Sequence, residues 1–243
     1  MIVDWVFFDA GNTLIGLDYR ILLGALADAG FVVDEMTLRR SEMLARRDLD
    51  RVILERWHGG SVPRTGWIET SVWRNFWRQV LELSGANPYD VDSLTGVVLD
   101  VTRPASSWSM VDATTPGTLE WLAGQGYRLG VISNSNGSLI AHLEGKGLAR
   151  HFEFIIDSAH LGVEKPHPEI FKEALFRAGG VAAGRTLYVG DVYAIDVLGA
   201  AGVGMHALLF DPLGQWHAGF LPEGAPPCRT LRSLVELKTI LAG

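Results

Sequence analysis

The chain predicts an α/β fold in which a parallel sheet carries one long helical insertion, and three observations predict it. Beyond residue 110, short apolar runs that end in turns alternate with stretches of helical spacing. Strands separated by helices imply right-handed crossovers and a parallel sheet. The opening run Val3, Trp5, Val6, Phe7, Phe8 has the same apolar character and reads as a further strand buried on both faces. From Asp18 to about Arg103 the character changes, and apolar residues recur at helical spacing instead.

Taken in order, the first strand delivers Asp9 into the turn Ala10-Gly11-Asn12-Thr13, where Gly and Asn tolerate the positive φ of a sharp exit. The insertion opens with Leu22, Leu23 and Leu26, and continues through Met36 to Trp57, which is rich in Arg and Glu. Gly59, Gly60 and Pro63 break it; Trp73, Phe76, Trp77, Val80 and Leu81 then form one apolar face, and a last helix runs from Val91 to Val101. The alternating part predicts helices at Thr118 to Gln125, Leu139 to Glu144, Pro168 to Ala178 and Ala194 to Ala201. Its strands are Leu129 to Ile132, Phe154 to Ile156, Leu187 to Val189 and Met205 to Phe210. Residues 1–16 and 104–243 are therefore expected to form the sheet domain, and 17–103 the inserted helical one.

With 243 residues, 48% hydrophobic and 20% charged, the chain is globular and long enough for a substantial core. A formal charge of -7 argues against a nucleic-acid or membrane-surface partner and leaves a charged or phosphorylated small molecule. Cys228 is the single cysteine, so no internal disulfide is expected. Asp4 interrupts any secretory signal, and no apolar run approaches a membrane span; the expected location is cytoplasmic.

Four strand ends carry polar residues, and in open α/β sheets ligands bind beyond that edge. Asp9 reads either as a nucleophile or metal ligand, or as the closure of an Asx-type turn. Ser133, followed by Asn134, offers a hydroxyl and turn amides to phosphate oxygens, or else an N-cap. Lys165, before Pro166, either holds a carboxylate and a phosphate together or is a solvated loop lysine. Asp191 and Asp196 supply hard oxygen ligands suited to Mg²⁺, although Asp191 alone reads equally as a cap.

In that order, the runs FFDAGNTLI, VISNSNG, GVEKPHPEIF and VGDVYAIDVLGA resemble the four motifs of the haloacid dehalogenase superfamily, across nearly the whole chain. The runs VISNS, KPHPEIFKEAL and AGVGMH look most like its hydrolase-domain-containing branch near the phosphoglycolate-phosphatase-like proteins. The resemblance implies a Rossmann-like core with an inserted α-helical cap domain. It implies Asp9 as a nucleophile that forms an aspartyl-phosphate, with catalytic Lys165, and with Ser133, Asn134 and Lys165 binding phosphate. It further implies Mg²⁺ held by Asp9, the Gly11 carbonyl, Asp191 and Asp196, and a small phosphorylated metabolite as substrate.

Gly11 departs from the pattern. Phosphatases of the superfamily carry a second aspartate there as general acid and base; glycine keeps the backbone carbonyl for metal but has no proton to give. Family dehalogenases also lack that aspartate, but they resemble D-A-Y-G-T at the first motif and work without metal. Phosphonatases need a cap lysine, and no lysine precedes Lys146. The alternatives kept are therefore a 2-haloacid dehalogenase-type hydrolase and a phosphate-binding protein impaired in turnover. In the insertion, Arg46, Arg47, Arg51, Arg56 and Arg64 contact an anionic group or are simply solvated or paired, and none is assigned to a site. Trp57, Trp67, Trp73 and Trp77 read as lid pocket or as cap core. His58, His160 and His167 stand as replacements for the missing acid or as ordinary surface histidines.

Overall fold

The computed structural model describes residues 2–58, 63–66, 70–214, 216 and 226–242, side chains at 56–58, 70 and 105 excepted. The Gly59-Gly60 break, Trp67 and the side chains of Arg56, Trp57 and His58 lie outside the described residues. β1 (Trp5–Phe8) is followed by α1 (Tyr19–Asp28), α2 (Glu35–His58), α3 (Thr70–Leu83) and α4 (Val91–Thr102). The chain then alternates: α5 (Thr115–Gly124), β2 (Arg128–Ser133), α6 (Leu139–Gly145), β3 (Phe154–Asp157), α7 (Ser158–Leu161), α8 (Pro168–Arg177) and β4 (Thr186–Gly190). It ends with α9 (Leu198–Gly202), β5 (His206–Phe210), β6 (Arg229–Leu231) and α10 (Leu237–Leu241).

The sheet is six-stranded in the order β3-β2-β1-β4-β5-β6, and all its pairings are parallel. The expected α/β fold is therefore present, with the opening strand at its centre. Side chains alternate between the two faces, as the pleat requires. Val6, Phe8, Leu129, Val131, Leu187 and Val189 pack with Leu119, Leu122, Leu139 and Leu143. Trp5, Phe7, Ile132, Ile156 and Tyr188 pack on the other face with Ile170, Phe171 and Ala174. Burying each large apolar side chain contributes about 1.5–3 kcal/mol, which is why the strands read as unbroken apolar runs.

Register places the site. Phe8 pairs with Val131 on one side and Val189 on the other, so three strands end together at one edge. The turn after β1 exits through Asn12, whose φ of 53° is positive while Gly11 keeps an ordinary backbone. The insertion leaves and returns at one point: Gly16 N–H donates to Met110 O at 2.7 Å and Met110 N–H to Gly16 O at 3.0 Å. Its core, around Leu22, Leu26, Leu38, Phe76, Val80 and Val98, is continuous with Tyr193, Ala194 and Ile195 of the sheet part.

Two features differ from expectation. The segment expected as one helix, Ala194 to Ala201, begins as a wide π-helical turn over Tyr193–Val197 before α9. Its first turn is held open by two carboxylates: Asp196 Oδ2 accepts from Val192 N–H at 3.0 Å, and Asp50 Oδ1 of α2 accepts from Ala194 N–H at 2.8 Å. The sheet also gains β6, which with three residues and only Leu231 fully buried leaves no periodic trace in the sequence.

Candidate active site

Asp9 follows β1 and is buried; its N–H continues the ladder by donating to Val189 O at 2.8 Å. Lys165 Nζ reaches it from the loop before α8. The ammonium lies 2.6 Å from Asp9 Oδ1, 2.7 Å from Asp196 Oδ1 and 2.9 Å from the Tyr188 hydroxyl, so all three of its N–H groups are engaged. The loop is clipped to the end of β2 by Asn134, whose Oδ1 accepts from Lys165 N–H at 2.7 Å and whose Nδ2 donates to Lys165 O at 2.9 Å. Asn134 thus spends its side-chain amide on positioning Lys165. Ser133, at the last residue of β2, stands buried beside it.

Asp196 reaches the same point from the wide turn. A Cβ on Gly190 would lie 2.4 Å from Asp196 Cγ, so only glycine at the end of β4 lets that carboxylate fold under the strand. Asp9, Asp191 and Asp196 each bring one carboxylate oxygen within 4.8 Å of the others. Asp191 is paired with Arg46 of α2, which also bonds Glu42 Oε1 at 2.7 Å; Glu42 in turn accepts from the Tyr19 hydroxyl.

The electrostatics follow from burial. Burial pushes Asp9 up to about 7 against the pull of Lys165, with Asp196 and Asp191 adding to the rise. Burial likewise raises Asp191, against Arg46. For Lys165 burial alone would lower the pKa, but Asp196 and Asp9 outweigh it and hold the ammonium charged. Three clustered carboxylates face Lys165 and Arg46, and Arg46 is shared with Glu42. The donor set is all hard oxygen. Asp9 Oδ2, Asp191 Oδ1 and the Gly11 carbonyl accept no hydrogen bond among the described residues, so they fit a divalent cation of the Mg²⁺ type. Above Asp9 opens a cavity of about 700 Å³ between the strand ends and helices α2, α3 and α4.

A model of the haloacid dehalogenase-like hydrolase family matches residues 3–204. The chain belongs to that family. It is similar to haloacid dehalogenase-like hydrolase domain-containing protein 3 of Xenopus laevis, 34% identical over 85% of this chain and 84% of the relative. It is also similar to a glyceraldehyde 3-phosphate phosphatase of Methanothermobacter thermautotrophicus, 42% identical over 52% of this chain and 57% of the relative. The putative HAD-hydrolase YfnB from Bacillus subtilis, bound to magnesium, superimposes with a TM-score of 0.67 at 20% identity, over 99% of each chain, and shares the fold. This member of the family is accordingly a hydrolase.

The predicted residues Asp9, Ser133, Asn134, Lys165, Asp191 and Asp196 converge at one sheet edge, and Gly11 lines the same cavity. Of the arginines left unassigned, Arg47, Arg51 and Arg64 lie by carboxylates at the surface, whereas Arg46 sits on Asp191. Nothing in the run Arg46-Arg47 distinguishes the two; only the helix phase set by packing does. Tyr188 was hidden as well, because inside β4 it reads as one more buried strand residue. Among the histidines, His167 Nδ1 caps α8 by accepting from Glu169 N–H at 3.2 Å, and His160 lies against Gly137. His142, from α6, lines the cavity instead. Among the described residues no helix is long and apolar enough to cross a membrane.

Asp50 gives a stability prediction. Burial pushes it up to about 7, against its bond from Ala194 N–H and the charge of Arg46. The unfolded carboxyl titrates near 4, so between about pH 4 and 7 the folded chain holds a proton that the unfolded chain has shed. Stability therefore falls as pH rises through that window. Asp50→Asn keeps an acceptor for Ala194 N–H without the buried charge, and is expected to gain about 1–3 kcal/mol at pH 8 and nothing at pH 4. Urea unfolding in chelator measures this; a variant less stable than the parent at pH 8 refutes it.

Proposed function

We propose that the chain is a Mg²⁺-dependent phosphatase of a small phosphorylated metabolite, acting through an aspartyl-phosphate on Asp9. The observation that carries the reading is the floor of the cavity, where a buried carboxylate is held by a buried lysine beside two further carboxylates. In this reading residues 1–16 and 104–243 form the catalytic core, and 17–103 form the cap that covers it.

Lys165 fixes Asp9 through Oδ1; one oxygen of that carboxylate attacks phosphorus, so the new O–P bond forms as the ester P–O bond breaks, and the other remains for the metal. The Ser133 hydroxyl and the N–H groups of the turn after β2 receive the phosphoryl oxygens, and the Lys165 ammonium takes one in exchange for its bond to the Tyr188 hydroxyl. Mg²⁺ held by Asp9, the Gly11 carbonyl, Asp191 and Asp196 would neutralise phosphate charge during this attack. Water then releases the phosphate from Asp9. With Gly11 in place of an aspartate, the first motif supplies no proton to the leaving oxygen, so leaving groups that depart as stable anions are favoured. The glyceraldehyde 3-phosphate phosphatase similarity favours phosphate ester chemistry over halide displacement, as do the retained carboxylates Asp191 and Asp196.

A panel of phosphorylated metabolites, assayed for inorganic phosphate with Mg²⁺ and with chelator, tests the reading. Release only with Mg²⁺ is expected. Halide release from a 2-haloacid without metal would replace it with the dehalogenase reading, and Mg²⁺ and phosphate binding without turnover would replace it with a binding protein. Asp191→Ala is expected to lose at least about 10²-fold of the Mg²⁺-dependent rate, since removing a hard ligand weakens metal binding. The fold is expected to stay intact with a melting temperature about 5 °C below the parent, because Arg46 loses one buried carboxylate partner and keeps Glu42. An unchanged Mg²⁺ dependence in that variant sinks the ligand assignment.

A further inference from the structure

We propose that the leaving group accepted by this site is an aromatic body, seated on the indole faces of Trp108 and Trp73; the proposal rests on the phosphatase reading of Asp9. Phosphate-binding groups occupy only the cavity floor, and about 700 Å³ is far more than phosphate fills. The remaining volume holds whatever lies beyond the ester oxygen. The wall it meets on the insertion side combines the apolar surface of Leu49, Leu99 and the aromatics of α3 with the polar groups of Glu42, Arg46, Thr102 and Arg103.

The aromatic residues divide by availability. Phe76 and Trp77 pack edge to face at 5.2 Å and are buried in the insertion core, so they back the wall. Trp73 stands edge-on to Phe76 at 5.7 Å and remains 37% exposed, which leaves ring surface open to the cavity. Trp108 comes from the returning connection, with its indole fixed by Nε1–H donating to Thr102 O at 2.9 Å. Its Cζ3 lies 3.5 Å from where a Cβ on Gly11 would stand. An aromatic plate therefore occupies the space beside the nucleophile, next to the residue that lacks the acid. The two observations are independent and agree on chemistry. A phenolate leaves without protonation far more readily than an alkoxide, and its ring stacks on indole.

Calorimetry on the whole Mg²⁺-loaded chain tests the seat, with benzylphosphonate and methylphosphonate as unreactive probes of one headgroup. Benzylphosphonate is expected to bind about 10- to 100-fold more tightly, as aromatic stacking and burial allow. Trp73→Ala and Trp108→Ala are each expected to cut that ratio by about tenfold, and Trp108→Phe to retain it. In turnover, phenyl phosphate is expected to exceed, in kcat/KM, a fluorinated alkyl phosphate whose alcohol matches phenol in acidity. Should Trp108→Ala fail to fold, the parent's probe ratio and the exposed Trp73→Ala still decide. Equal affinities for the two phosphonates, or a ratio that survives both alanine variants, overturn the seat. If acetyl phosphate is hydrolysed with Mg²⁺ while the phosphonates bind equally, the phosphatase reading stands and this inference alone fails. If the ratio holds but no phosphate compound is turned over, the seat stands and the hydrolytic reading falls.

Discussion

Lys165→Met is expected to remove turnover by at least about 10³-fold and to cost about 3–5 kcal/mol of folding stability. The two effects have one cause. The ammonium is 2% exposed and is the shared donor to Asp9 and Asp196. Replacing a whole buried ion pair with apolar groups is often nearly neutral, because lost attraction and recovered desolvation cancel. Removing only the cation does not cancel anything. It leaves Asp9 and Asp196 desolvated and facing each other, with Asp191 close by. Methionine fills the volume of the lysine stem, so the loss reports charge and not a cavity. Added Mg²⁺ is expected to restore part of the stability of the variant by binding the freed carboxylates in the folded state only, while turnover stays lost. Urea unfolding of parent and variant, in chelator and in Mg²⁺, measures this. Equal stability in chelator would show that the carboxylates do not depend on Lys165.

Those carboxylates also show which parts of the site were legible in the sequence. Asp9, Ser133, Lys165 and Asp191 each follow an apolar run or precede a helix, and a parallel sheet brings all such positions to one edge whatever their separation in the chain. The contact between Lys165 and Asp9, 156 residues apart, needed more: Lys165 lies beyond β3 and α7, reads alone as a solvated loop lysine, and was pointed to by the resemblance of its motif. Arg46 was not legible because its role depends on how α2 rolls over the turn Tyr193–Val197, and the contacts that set that roll come from packing. Asn134, expected to bind phosphate, lies at the same edge, but the sequence does not say that both ends of its amide serve the Lys165 backbone. The wide turn escaped for a similar reason: two carboxylates, one from another element, hold it open, and helical periodicity contains no record of them. Trp108 lies in an irregular connection, where no period exists to read.

Gly11 leads to a steep dependence on the leaving group. Attack by Asp9 on phosphorus requires no acid, but expelling an alkoxide does. General acid catalysis typically contributes about 10² to 10⁴ in rate, or roughly 3 to 5 kcal/mol of barrier. Acetyl phosphate and p-nitrophenyl phosphate release stabilised anions and are expected to exceed alkyl phosphates in kcat/KM by about that factor. Because the site is expected to favour aromatic bodies in its own right, a series of substituted phenyl phosphates isolates the effect: the body stays constant and only the acidity of the phenol changes. Gly11→Asp is expected to flatten the slope. The position accepts a side chain, since its backbone is not left-handed and an added Cβ meets only Trp108 Cζ3, at 3.5 Å, an ordinary contact. Hydrolysis of the aspartyl-phosphate also lacks its usual base in the parent and is expected to limit kcat for good leaving groups, so the comparison belongs in kcat/KM. A flat dependence of kcat/KM on phenol acidity in the parent would mean that another cavity residue, such as His142 or Glu164, delivers the proton and that Gly11 has no such consequence.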